Sequence, residues 1–257
     1  MSDSKEHLFI IHGLFDCTLT WQPIADRLSS YYNVHLLPLR NHSGGVYSDA
    51  MGYDEMLADI IGYADDNKID KFSVVGHSLG GRVAVALSDK FPSRLQKVVV
   101  VDITPFSSVS LQEYRPGVEE LMNQVLAIKN LPISTYTELS HFVAGISQFD
   151  DITKRIIIGN IDFTNGVFSW NLNIDAIFNN FDKLLTGIEL DDFIDRKIEV
   201  PILFIKALES EFLHKYDYKS IQFIFPNSRI VEFEGCSHRV HLEKPDMLVD
   251  AVMDFLR

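Results

Sequence analysis

Phe72-Ser73-Val74-Val75-Gly76-His77-Ser78-Leu79-Gly80-Gly81 runs directly into Arg82-Val83-Ala84-Val85-Ala86-Leu87. An apolar, β-branched run enters Gly-His-Ser-Leu-Gly and leaves with helical composition, so the stretch predicts a strand, a very tight turn and a helix. Glycines at 76 and 80 remove Cβ atoms that would clash in such a turn. Ser78 can then take a strained backbone conformation with its Oγ exposed at the strand end. The helix that follows at once aims free N–H groups and a positive dipole end at the same spot, where negative charge would develop. Three fixed positions recur by chance, and a Gly-rich loop with an idle serine would explain the glycines alone. The strand–turn–helix setting favours the nucleophile.

The same alternation extends to either side. Leu8-Phe9-Ile10-Ile11 reads as a buried strand that ends at His12-Gly13-Leu14-Phe15, a bend where a backbone N–H can turn inward. Trp21, Ile24, Ala25 and Leu28 mark a helix, Val34 to Leu37 a second strand, and Pro38 to Gly45 a loop. Met56, Leu57, Ile60, Ile61 and Ala64 mark another helix, and Val98-Val99-Val100-Val101 a strand ending on Asp102. Strands and helices at this spacing predict an α/β fold: a mostly parallel central sheet with helices on both faces. Reactive groups gather at the carboxyl ends of such strands, where Gly13, Ser78 and Asp102 all fall.

From Phe106 to Arg196 the pattern breaks into helical stretches around Val118 to Leu126, Phe142 to Ile146 and Ile177 to Leu185. Asn-rich turns at Asn160 to Gly166 and Asn171-Leu172-Asn173 separate them. Residues 107–195 therefore read as a helical lid inserted into a core of residues 1–106 and 196–257; the alternative is helical bulk on the flank. The βα pattern resumes at Val200 to Ile205, Ile221 to Phe225 and Arg229 to Phe233. A closing helix spans Pro245 to Leu256.

The 257 residues are 46% hydrophobic with 18 Phe, enough for a sizeable core. A net charge of -13 argues against nucleic acid and anionic membrane as main partners, and leaves room for a basic pocket. Two cysteines, Cys17 and Cys236, suit a reducing compartment and free thiols. The polar start Met1 to His7 and the lack of a stretch of membrane-spanning length suggest a soluble cytoplasmic protein.

A serine hydroxyl needs an adjacent base. Of nine histidines, His238 in Glu234-Gly235-Cys236-Ser237-His238 stands on the loop after the last strand, at the edge that carries Ser78. His12 and His77 read as packing or supporting residues, and His241 as a cap or packing residue.

Five pieces resemble the α/β-hydrolase superfamily, and within it are most similar to the YbfF-type esterases. They are His12-Gly13-Leu14-Phe15, Leu39-Arg40-Asn41-His42, Gly76 to Gly81, Val101-Asp102-Ile103-Thr104-Pro105 and Gly235 to Pro245. The resemblance implies hydrolysis of a small-molecule carboxylic ester or thioester, acyl-CoA included, under a helical cap and with no cofactor or metal. It implies Ser78 as nucleophile, His238 as base, and an oxyanion hole from the Leu14 and Leu79 N–H groups. Most of the superfamily carries its acid after the strand at 201–206. Here that stretch is Ala207-Leu208-Glu209-Ser210, with Ser210 in the acid's place and Glu209 and Glu211 beside it. YbfF-type relatives place the acid after the strand that ends at Asp102, which makes Asp102 the expected third member; the alternative is a turn-capping aspartate. Pro38, Ser43, Cys236 and Arg239 depart from the family pattern. Arg239 either faces the pocket and favours an acidic substrate group or is a solvated surface residue. Ser78 argues against dehalogenases and epoxide hydrolases, which use an aspartate. Carbon–carbon bond hydrolases, cofactor-free haloperoxidases and a hydrolase-fold ligand receptor stay open.

Overall fold

The computed structural model describes residues 5–257 apart from 108, 109, 132, 134, 148, 165 and 166. The chain begins β1 (His7–Ile11), α1 (Thr18–Leu28), β2 (Asn33–Leu37), α2 (Tyr53–Asp66), β3 (Phe72–His77), α3 (Leu79–Lys90) and β4 (Leu95–Val101). Then come α4 (Ser110–Lys129), α5 (Tyr136–Ala144), α6 (Asp151–Gly159), β5 (Ile161–Thr164), β6 (Val167–Trp170), α7 (Ile174–Asn179) and α8 (Phe181–Leu185). It closes with β7 (Ile202–Ala207), α9 (Tyr218–Ile224), β8 (Ser228–Phe233), α10 (Val240–Glu243) and α11 (Pro245–Leu256).

Six strands form one parallel sheet in the order β2-β1-β3-β4-β7-β8. Successive side chains of a strand point to opposite faces, so a sheet covered on both sides demands continuous apolar strands. The valine run shows it. Val98 and Val100 join Val74 and Phe204 on the face covered by α2 and α3, through Met56, Leu57, Ile60 and Val83. Val99 and Val101 join Val75 and Ile205 on the other face, against Trp21, Ile24 and Leu28 of α1 and Leu248 and Val252 of α11. Each such valine, fully buried, stabilises the fold by roughly 1.5–3 kcal/mol relative to leaving it exposed. β3 pairs Gly76 with Ile11 on one side and His77 with Val101 on the other. That register brings the bends after β1, β3 and β4 to one edge.

The stretch between β4 and β7 leaves and rejoins the sheet at adjacent points. Phe106 bridges Ile188, the Ile188 N–H donates to Pro105 O at 2.7 Å, and the Ser107 N–H donates to Ile188 O at 3.1 Å. The expectation of helices alone in this stretch is corrected by an antiparallel hairpin, with Ile161 opposite Trp170 and Phe163 opposite Phe168. Aromatic and β-branched residues on both arms favour strand pairing there. The expected turn at 160–166 lies partly outside the described residues, at 165 and 166, as do residues 1–4 of the polar start. Asparagines along it also attach the stretch to the sheet's loops. Asn160 Nδ2 donates to Phe15 O at 2.6 Å, the Asn173 N–H to Asn41 O at 2.9 Å, and Asn180 Nδ2 to Asp49 O at 2.8 Å. Among the described residues no helix is long and apolar enough to cross a membrane.

Candidate active site

Ser78 sits between β3 and α3 at φ 52°, ψ -119°, a positive-φ conformation rarely adopted by a side chain with a Cβ. The flanking glycines make this possible. A Cβ on Gly76 would lie 2.2 Å from Gly80 O, and one on Gly80 would lie 2.3 Å from Ile11 O. Neither backbone atom can retreat, because both belong to packed elements. The Ser78 N–H donates to Val101 O at 3.1 Å, which fastens the turn to β4.

Asp102, also at positive φ, directly follows β4 with its carboxylate fully buried. Its Oδ2 lies 2.8 Å from His238 Nδ1, and its Oδ1 accepts the Ala207 N–H at 2.9 Å. Oδ2 also accepts the Ser210 hydroxyl. Ser210, standing where most of the superfamily places the acid, thus contributes a donor to the carboxylate supplied from β4. Buried Lys206 holds this loop from behind, with Nζ donating to Ala207 O at 2.7 Å and Ser210 O at 2.6 Å. Glu209 and Glu211 line the cavity but do not take His238 Nδ1, which faces Asp102.

His238 is fixed on two further sides. The Phe212 ring stacks on it at 3.8 Å between centroids, and His77 Nε2 donates to its backbone O at 2.8 Å. His77 is buried, and its pKa is held well below the usual value by that burial and by the neighbouring His238 and His241. Ser78 and His238 face one cavity of about 440 Å³ with Gly13, Leu14, Leu79 and Arg239. Leu79 is the first residue of α3, so its N–H lies outside the intrahelical ladder. Among the described residues the Leu14 N–H also lacks an acceptor. Among the described residues neither amide has a protein acceptor outside the helix ladder.

Sequence reading missed how the bend at residues 13–15 is held. His12 Nδ1 donates to Gly13 O at 2.8 Å while its Nε2 accepts the Leu39 N–H at 3.1 Å. His42 Nδ1 donates to Arg40 O at 2.9 Å while its Nε2 accepts the Phe15 N–H at 3.0 Å. A carbonyl can only accept and an amide can only donate, so both rings are locked as neutral Nδ1–H tautomers. Burial lowers both pKa values, that of His42 to about 3. The signal was the pair of loop motifs themselves: His12 and His42 sit one in each, and their rings meet at 5.0 Å.

Two more buried charges escaped notice. Asp16 accepts from the Cys17 N–H, the Thr20 hydroxyl and Trp21 Nε1, and lies 3.3 Å from His241 Nε2. Burial alone would raise its pKa, but the nearby His241, with His12 and His77 behind, holds it below the usual carboxylate range. Asp16, His77 and His241 are a buried set with donor atoms within 4.8 Å of one another. With three donors already on Asp16 and His241 stacked on Trp21, the set reads as a polar support for the loop below His238. Arg82, inside α3, donates to the carbonyls of Thr104, Leu185 and Thr186 and so joins the sheet edge to α8. A lone cation in an otherwise apolar helix stretch was its only signal. Cys17 and Cys236 are free, and burial pushes the Cys236 thiol up to about 11.

A family model described as "alpha/beta hydrolase fold" matches residues 6–245. A putative esterase/lipase of Haemophilus influenzae is 27% identical over 97% of this chain and 82% of its own length. Esterase YbfF of Escherichia coli is 24% identical over 97% of this chain and 92% of its own. Among solved structures, a marine microorganism esterase superposes with a TM-score of 0.88 at 28% identity, covering 98% of this chain and 96% of that one. With the elbow serine, the parallel sheet and the loop histidine in their places, the chain belongs to the α/β-hydrolase family.

Proposed function

We propose that the protein is a serine hydrolase of carboxylic esters or acyl thioesters, with Ser78, His238 and Asp102 as its triad. The observation that carries this reading is the 2.8 Å contact from His238 Nδ1 to Asp102 Oδ2, behind a ring that shares a cavity with the elbow serine. Asp102 fixes the tautomer with Nδ1 protonated and Nε2 free as base, and it stabilises the imidazolium. Ser78 Oγ attacks the acyl carbon as His238 Nε2 takes its proton. The oxyanion is held by the N–H groups of Leu14 and Leu79, each worth about 3 kcal/mol at the transition state. The intermediate collapses as Nε2 returns the proton to the leaving oxygen or sulfur. Water repeats the cycle on the acyl-enzyme, giving the acid and free Ser78.

The apolar wall of Ile103, Val118, Leu121, Leu184 and Leu185 supports a hydrocarbon acyl chain. Four of those five lie within residues 107–195, which supports the division into a core of 1–106 and 196–257 and a cap of 107–195. The test is a series of p-nitrophenyl esters of increasing chain length beside acyl-CoA thioesters, with wild type and Ser78→Ala. Multiple turnovers in wild type, falling below about one per cent in the variant, are expected. Equal rates in the two proteins would refute the reading.

A further inference from the structure

The cavity has a polar side that acyl-chain binding leaves unexplained. Arg239, next to His238, lines it with Thr153 and Asp150, and its Nη2 donates to Thr153 Oγ1 at 2.9 Å. A guanidinium carries five N–H donors in a planar fork. Among the described residues no carboxylate lies within ion-pair distance of this one. Asp16, Asp150 and Glu243 act on it through space, and each is already engaged. Asp16 holds the Cys17 N–H and Thr20, Asp150 caps α6 through the Thr153 N–H at 2.6 Å, and Glu243 holds the Ser237 N–H at 2.8 Å. These carboxylates ease the cost of a half-buried cation without occupying its fork. A charge drawn out of water ordinarily finds a partner, and this guanidinium lines the cavity.

We infer that Arg239 binds an anionic group, a carboxylate or phosphate, on the leaving alcohol or thiol of the substrate. This rests on the reading of Ser78 and His238 given above. His238 must stand beside the leaving atom to protonate it, and Arg239 is the adjoining residue on the same loop. The apolar wall takes the acyl chain. A forked, charge-assisted pair fixes the orientation of the leaving group as well as its affinity.

The test compares butyryl glycolate and 2-(butyryloxy)ethyl phosphate with neutral 2-methoxyethyl butyrate, following released butyrate by pH-stat. Wild type should favour one of the anionic esters by about 10- to 100-fold in kcat/KM, the span of a charge-assisted hydrogen bond. Which one it favours separates carboxylate from phosphate. Arg239→Met should bring the ratio close to one, and Arg239→Lys should keep part of it. No anionic preference in wild type, or an unchanged ratio in Arg239→Met, would overturn the inference. So would a preference only for a neutral alcohol joined to an anionic acyl group such as hydrogen succinate. Calorimetric binding of butoxyacetate, which has no scissile bond, reads Arg239 without chemistry. A Kd at least about tenfold weaker in Arg239→Met supports the inference, and an equal Kd overturns it. Failure of the serine-hydrolase reading would show separately, as Ser78→Ala hydrolysing these esters as fast as wild type.

Discussion

At the residue scale, the decisive relation is between Asp102 and Ser210. Asp102 was legible as the candidate acid because the later loop offers Ser210 where a carboxylate would stand. The bond between the two was not legible, since it joins residues 108 positions apart. Asp102→Asn should lower kcat by roughly three to four orders of magnitude through the wrong tautomer of His238. Ser210→Ala should cost about tenfold or less, and Glu209→Gln little. Steady-state kinetics that reversed the order of Asp102 and Glu209 would move the acid to the later loop. The buried histidines set a second expectation. His42 has a folded value of about 3 and an unfolded one near 6.5, so only the unfolded chain takes up its proton between them. Its contribution is complete above about pH 6.5 and is lost as the pH falls toward 3, at about 1.4 kcal/mol per pH unit. His12 and His77 act in the same direction. Urea unfolding between pH 7.5 and 5 should show stability declining with pH. His42→Gln should flatten that slope below pH 6.5 by about 1.4 kcal/mol per unit; an unchanged slope would contradict the locked tautomer.

At the element scale, β3, the elbow and α3 were readable because their constraint is local steric exclusion around two glycines. Gly80→Ala places a Cβ 2.3 Å from Ile11 O and 2.6 Å from His12 O, so β1 must separate from the elbow. A destabilisation of about 3 kcal/mol or more is expected, measured by urea unfolding; a midpoint equal to wild type would contradict it. The hairpin of β5 and β6 was harder to read. Its four-residue arms are too short to show a period of two, and the asparagines around them signal turns. Those asparagines instead fasten the stretch to loops at residues 15, 41 and 49, contacts that no local pattern announces.

At the scale of the whole molecule, the cavity is made by segments distant in sequence: 13–16, 77–82, 103, 118–121, 150–153, 184–185, 209–212 and 237–239. Alternating strands and helices predict which edge they reach. They do not predict which side chains converge, and for that reason substrate shape was not legible. Arg82 shows how α8 is fastened to the sheet edge. Arg82→Ala would leave the carbonyls of Thr104 and Leu185 without their donor, at about 1–3 kcal/mol each. Limited proteolysis should then cut within residues 107–195 faster than in wild type; equal cleavage rates would show that α8 is held by other contacts.

The most direct measurement of the central claim is reaction with a fluorophosphonate, read by intact mass and peptide mapping. Wild type should gain one adduct per chain, on Ser78, and Ser78→Ala should gain none under the same conditions. Asp102→Asn should label far more slowly at the same residue. An adduct on any other side chain, or equal labelling of Ser78→Ala, would contradict the account.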